Sequence, residues 1–269
     1  MASEPQADRM VIPARGDLIR IVPLHVPTEL TDQMAGIPGV APATPPHLTF
    51  RSGNGAMLPS VKVYTIFWGA AWQGAQAPMV QQINASFDAI LTGPLMDQLA
   101  EYNTGGFTVG HGQRIGTTTI ITPRLGRTVT DNAIQHLLQQ EIATNHAVPQ
   151  PTPSTLYFVY LPPGVSVVQG GSRSCQAFCG YHSDINGQIF YAAMPFPGCN
   201  GCTGNLSQLD ALTSTSSHEL CEAITDAIPG NGWYDDSHGE IGDICAWQTK
   251  KIGNYTVQLE WSNQQNKCV

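Results

Sequence analysis

The chain has 269 residues, 42% of them hydrophobic and only 12% charged, with a formal net charge of −8. That length and apolar content suffice for one sizeable core, and no apolar run is long enough to cross a bilayer. The acidic balance excludes nucleic acid and an anionic membrane surface as main partners.

Residues 1–57 carry no sustained period and are punctuated by prolines such as Pro42, Pro45 and Pro46. They read as an extended arm packed along the domain, with 19–24 as one edge strand. A propeptide remnant is the other reading. Met1-Ala2-Ser3-Glu4-Pro5 lacks the basic start and apolar run of a secretory leader, so export is expected through a leader already removed or by another route.

Residues 58–269 form the second unit. A β-branched and aromatic strand is expected over 61–69. Pro78 opens a helix carrying Val80, Ile83, Phe87, Ile90 and Leu91 at helical spacing. Thr92-Gly93-Pro94 breaks it, and 95–102 continues as a second segment. A strand follows over 117–122, then a helix capped by Thr128 or Thr130 with Ile134, Leu137, Leu138 and Ile142 facing inward. Alternating Leu156, Phe158 and Tyr160 mark a buried strand over 154–161. A long Gly/Cys loop, a strand over 189–194 and a motif helix come next, and a strand over 255–261 ends the chain.

Seven cysteines suit an oxidising compartment. Cys175, Cys179, Cys199 and Cys202 read either as a disulfide-stapled loop or as a four-thiolate zinc site, and the sparse charge favours disulfides. Cys245 and Cys268 make a candidate bridge, which leaves Cys221 buried and free.

The motif helix carries the chemistry. Ser207 is its candidate N-cap with Asp210 three residues on, and Leu209, Leu212, Leu220, Ala223, Ile224 and Ala227 supply its apolar side. His218 and Glu222 stand one turn apart, so both can face one ion. Glu219 lies beside His218, where a zinc peptidase helix places its general base. The commoner motif ends in histidine, and a carboxylate there remains an acceptable zinc ligand. Glu240 comes eighteen residues after Glu222, between Gly239 and Gly242, as a third ligand that leaves a position open for water. His238 competes for that role. Asp226 and Asp243 are candidates to accept the His218 ring N–H. Tyr234 or Tyr181 is a candidate oxyanion donor. His182 is read either as a substrate contact or as a loop histidine held between disulfides. The acidic turn Asp235-Asp236-Ser237-His238 makes calcium a possible additional structural ion, although its spacing fits no twelve-residue calcium loop. The serines before His218 are not read as nucleophiles, because adjacent helical residues diverge by about 100°.

His218-Glu219-Leu220-x-Glu222-Ala223-x-Thr225-Asp226, then Gly232-Trp233, then Glu240-Ile241-Gly242-Asp243-x-Cys245, resembles a group of bacterial secreted proteins. Those proteins are related to the plant phosphate-induced, EXORDIUM-like family, whose plant members are implicated in cell-wall growth. Cys179-Gly180-Tyr181-His182 and Tyr64-Thr65-Ile66-Phe67-Trp68-Gly69 share the resemblance, which spans about Val61 to the C-terminus. The bacterial members are similar to zincin peptidases in the motif helix. The resemblance and the element order imply an α/β, zincin-like fold, with a mixed twisted sheet over the motif helix. In that fold the strand over 189–194 is the antiparallel edge that pairs with extended substrate, where Ala192 and Ala193 would let a peptide approach. The expected activity is that of a secreted, monomeric, zinc-dependent endopeptidase acting on peptide or protein. The alternative is a non-catalytic extracellular or wall-associated binding protein that retains a structural metal.

Overall fold

The computed structural model describes residues 13–14, 17–18, 21–24, 44–51 and 57–269. Most of the 1–57 arm therefore lies outside the described residues. Six strands make the central sheet: β1 (Ile21–Pro23), β2 (Lys62–Trp68), β3 (Gln113–Ile120), β4 (Thr155–Tyr160), β5 (Phe178–Ile185) and β6 (Ile189–Met194). They lie in the order β1-β5-β6-β4-β2-β3. Strands β3, β2, β4 and β6 run parallel, whereas β5 is antiparallel to both β6 and β1. The protein is thus mixed α/β. Strand β4 is buried at every position, as a central parallel strand covered on both faces should be.

Helices cover both faces. On one lie α1 (Ala77–Ile90), with Pro78 in its first turn, and the motif helix. There Phe87 meets Phe158, and Leu212 and Leu220 join Phe67 and Met194 in the same core. On the other lies α2 (Asp131–Thr144), capped by Thr130 Oγ1 accepting from Ala133 N. Its Ile134 and Leu138 pack on Ile66, Val159 and Tyr191.

The motif helix, α3 (Gln208–Thr225), starts as expected, with Ser207 Oγ accepting from Asp210 N at 3.1 Å. Its apolar side is present, but its polar side is enclosed too, because residues 211–225 are all buried. The sheet covers one flank, and a hairpin of Thr249–Ile252 with Tyr255–Gln258 covers the other. Small polar residues make that tight fit possible, and several are hydrogen-bonded. Ser216 Oγ lies 2.7 Å from the Tyr160 hydroxyl, and Ser217 Oγ donates to Ser214 O while accepting from Gln258 N.

Four expectations are corrected. The Gly/Cys loop contains β5, which turns through Asn186-Gly187, both at positive φ (54° and 66°), into β6. Strand β6 is therefore interior, and Ala192 and Ala193 are fully buried in the core instead of facing a peptide. The 255–261 segment does not join the sheet. It divides into the hairpin over α3 and a second short pair, Trp261–Ser262 with Lys267–Cys268. The strand expected at 117–122 starts earlier, at Gln113.

Cys175 is bonded to Cys199, Cys179 to Cys202 and Cys245 to Cys268, while Cys221 is free and buried. Those bonds consume the thiolates that a four-cysteine zinc site would need. Among the described residues no helix is long and apolar enough to cross a membrane.

Candidate metal centre

Strand β5 and helix α3 face each other across a fully buried gap, and the loop after α3 closes its end. On α3, His218 Nε2 lies 2.9 Å from Glu222 Oε1, but the approach lacks the alignment of a hydrogen bond. From β5, His182 reaches into the same gap. Its Nδ1 is 3.3 Å from Glu219 Oε2 and 3.5 Å from Glu222 Oε2, and its Nε2 is 3.5 Å from Glu240 Oε1. That Nε2 also meets the Asp226 carbonyl oxygen at 3.0 Å. His182 is thus a strand residue inside the cluster, not a loop histidine.

His182, His218, Glu219, Glu222 and Glu240 are all fully buried. Burial pulls both imidazoles towards the neutral form, yet the surrounding carboxylates outweigh it. Glu240, Glu219 and Glu222 hold His182 well above the usual histidine range, and Glu222, Glu219 and Asp243 do the same for His218. Burial raises Glu219 and Glu240, the latter strongly and with the Glu222 charge adding to the rise. Burial also opposes ionisation of Glu222, but His218 and His182 bring it down to about 2. The cluster is short of positive charge.

Two compact donor sets share Glu222. One atom each from His218, Glu222 and Asp243 lie within 4.8 Å of one another, as do atoms from His182, Glu219 and Glu222. Both His218 nitrogens, Glu219 Oε1, Glu222 Oε2 and both Glu240 oxygens are buried without a hydrogen-bond partner. Orphaned polar atoms at this depth cost about 1–3 kcal/mol each, more when charged. A divalent cation held by imidazole nitrogen and carboxylate oxygen offsets that cost, and the donor types suit zinc. The residues present fit the ion.

Two glycines permit the approach. A Cβ on Gly242 would stand 2.7 Å from His218 Nδ1, so the loop lies directly against the imidazole. A Cβ on Gly180 would stand 2.7 Å from Thr215 Cγ2 and 3.1 Å from Glu219 Oε1, so β5 can press onto α3 only without a side chain there.

The remaining candidates sort by contact. Asp243 belongs to the cluster, its backbone N–H donating to Glu222 Oε1 at 3.2 Å and its Oδ2 accepting from Glu240 N at 3.1 Å. Neither aspartate expected to accept from the His218 ring N–H does so, because both ring nitrogens lack a hydrogen-bond partner. Asp226 accepts from the backbone N–H of Gly230, Asn231 and Gly232, so it ties down the turn after α3, and burial raises its carboxyl to about 6. His238 turns away, with Nδ1 2.9 Å from Asp235 Oδ1. Tyr181 donates to Asp131 Oδ1 on the far face of the sheet, and the Tyr234 ring lies 4.1 Å beneath the Arg51 guanidinium. The acidic turn proposed for calcium is held by Asp235, which accepts from the backbone N–H of His47, Ser237 and His238.

Sequence reasoning missed Glu260. It is fully buried with both carboxylate oxygens orphaned, and burial drives its pKa well above the usual range despite the pull of His218. Its only sequence signal is a lone charge between Leu259 and Trp261. No protein-family model matches the chain, and no curated protein is similar to it in sequence.

Proposed function

We propose that the protein is a metal-dependent peptide hydrolase of zincin-like fold. One divalent ion, zinc by donor chemistry, is held by His218 and Glu222 with Asp243 or Glu240 as third ligand. The single observation that carries this reading is the orphaned, carboxylate-rich cluster on the His218–Glu222 turn, with Glu219 beside it. When bound, such an ion polarises a carbonyl and acidifies water. Glu219, raised by burial, is suited to take a proton from the attacking water and return it to the leaving amine. His182 holds the Glu219 carboxylate in place. Three disulfides, together with the absence of a membrane-crossing helix among the described residues, favour an extracellular protein, secreted by some route.

One observation favours a second reading. The cluster is wholly buried, as a structural ion in a non-catalytic wall-associated binding protein would be. Glu219→Gln separates the two. Under the hydrolase reading it lowers hydrolysis of an unfolded protein substrate on the order of 10²–10⁴-fold while the ion stays bound. A parent that carries its ion and cleaves nothing would establish the binding protein instead.

A further inference from the structure

The sheet edge beside the candidate metal centre is occupied by the chain's own arm. Strand β1 pairs antiparallel with β5, Pro23 against Phe178 and Ile21 against Tyr181, with an irregularity between the two pairs. Gly180 lies within that irregularity, and its missing side chain is what brings β5 against Glu219. The arm thus runs one strand spacing, about 4.8 Å, from the stretch of β5 that backs Glu219, and it packs beside α3.

The arm is held by side chains as well as by pairing. Val22 is 1% exposed, in an apolar pocket with Cys179 and Cys202, and Leu24, Cys175, Cys199 and Trp247 pack around it. Leu24 rests on Gly201, where a Cβ would stand 3.1 Å from Leu24 Cδ2. Trp247, at φ 67°, donates its Nε1–H to the Pro23 carbonyl at 3.0 Å. Two disulfides thereby frame a pocket for one aliphatic side chain of an extended peptide. The arm shows what that groove accepts. Backbone pairing supplies affinity there, and the pocket supplies selectivity.

We infer that the β5 edge is a groove for extended polypeptide with an aliphatic side chain in the Val22 pocket, and that residues 21–24 are its built-in occupant and block it. That the displacing peptide is then cut rests on the hydrolase reading; that it binds does not.

The test compares the full-length parent with Val22→Asp, which places a carboxylate in the apolar pocket. The probe is a fluorescein-labelled synthetic peptide with the sequence of residues 19–25. Fluorescence anisotropy reads its binding, hydrogen exchange reads β5 protection, and hydrolysis of an unfolded protein is followed in parallel. In Val22→Asp we expect faster exchange in β5, at least tenfold tighter probe binding and at least tenfold faster hydrolysis. Tighter binding without hydrolysis keeps the groove and removes the hydrolase. Unchanged binding, or unchanged β5 protection, overturns the groove whatever the hydrolysis rate. Should circular dichroism show Val22→Asp unfolded, Trp247→Phe, which keeps the ring and loses the donor to Pro23, carries the same comparison. A shift of a few-fold is then expected, and none overturns the inference.

Discussion

His182 Nδ1 lies 3.3 Å from Glu219 Oε2, joining a residue on β5 to one thirty-seven positions later on α3. This contact ties the sheet to the motif helix at the residue assigned the proton transfer. A carboxylate so held keeps one orientation, and a base must do so to meet a water in the same place each time.

If His182 orients Glu219 and does not ligate, His182→Gln should leave metal content unchanged. The amide can still donate to Glu219 but carries no charge. Losing the second contact of the imidazole, Nε2 to the Asp226 carbonyl, should lower stability by about 0.5–1.5 kcal/mol, the usual net worth of one hydrogen bond. Mass-spectrometric metal analysis and urea unfolding check both parts. Loss of the ion would make His182 a ligand.

Gly242→Ala should strike the centre without replacing a ligand residue. The new methyl would stand 2.7 Å from His218 Nδ1, with the ring fully buried and unable to retreat. Overpacking of this kind costs about 1–3 kcal/mol. Displacement of the imidazole should also weaken metal retention, so dialysis against a chelator should strip the variant faster than the parent.

Asp210 gives the acid limb of stability. Burial opposes its ionisation, but Lys251, Thr256 and Ser207 outweigh that and hold its pKa at about 2. A depressed carboxyl stabilises the fold above its unfolded value of about 3.9, and that contribution is lost as pH falls towards 2. Its partly exposed position limits the loss to the order of 1 kcal/mol. Asp210→Asn should flatten that part of the stability profile measured by urea unfolding between pH 5 and 2.

Cys221 should be silent in the folded protein. It is the free cysteine, wholly buried, and burial raises its thiol well above the usual range, with Glu260 adding to the rise. Thiol titration without reductant should find no reactive group under native conditions and one after denaturation. Four or more would contradict the disulfide pairing.

The His218–Glu222 pair was legible because helical spacing alone brings two residues four apart to one side. The same periodicity located α1 and α2. It did not reveal that α3 is enclosed on its polar side, since the hairpin covering it comes from residues 249–258, and periodicity describes a helix without its neighbours. Strand β5 was hidden by its own composition. Gly180 and His182 interrupt the apolar alternation because they meet α3 instead of a lipid-like core. The Asn186-Gly187 turn was a readable hairpin signal, and following it would have made 189–194 interior and removed Ala192 and Ala193 from any substrate edge. Glu260 had no readable pattern, because its burial depends on the terminal pairing of its backbone with Val269.

The third ligand separates two otherwise similar centres. Glu240 was expected from its place in the loop, and it is buried in the cluster with both oxygens orphaned, 3.5 Å from His182 Nε2. Asp243 stands in the compact set with His218 and Glu222, and its backbone N–H already donates to Glu222 Oε1. Proximity favours Asp243, so Asp243→Asn should lower metal occupancy far more than Glu240→Gln. A ligand binding only the native state stabilises by about 4 kcal/mol when present at a thousand times its dissociation constant. Asp243→Asn should therefore also lose most of the stability gained on adding zinc, whereas Glu240→Gln should keep it. Glu240→Gln should moreover unfold no more readily than the parent when both are metal-free, because burial favours the neutral form of that carboxyl, and an amide is neutral too. The measurements are zinc stoichiometry after dialysis and thermal unfolding with and without added zinc for both variants. The reverse order, with Glu240→Gln emptied and Asp243→Asn filled, would return the third position to Glu240 and leave Asp243 to orient the loop.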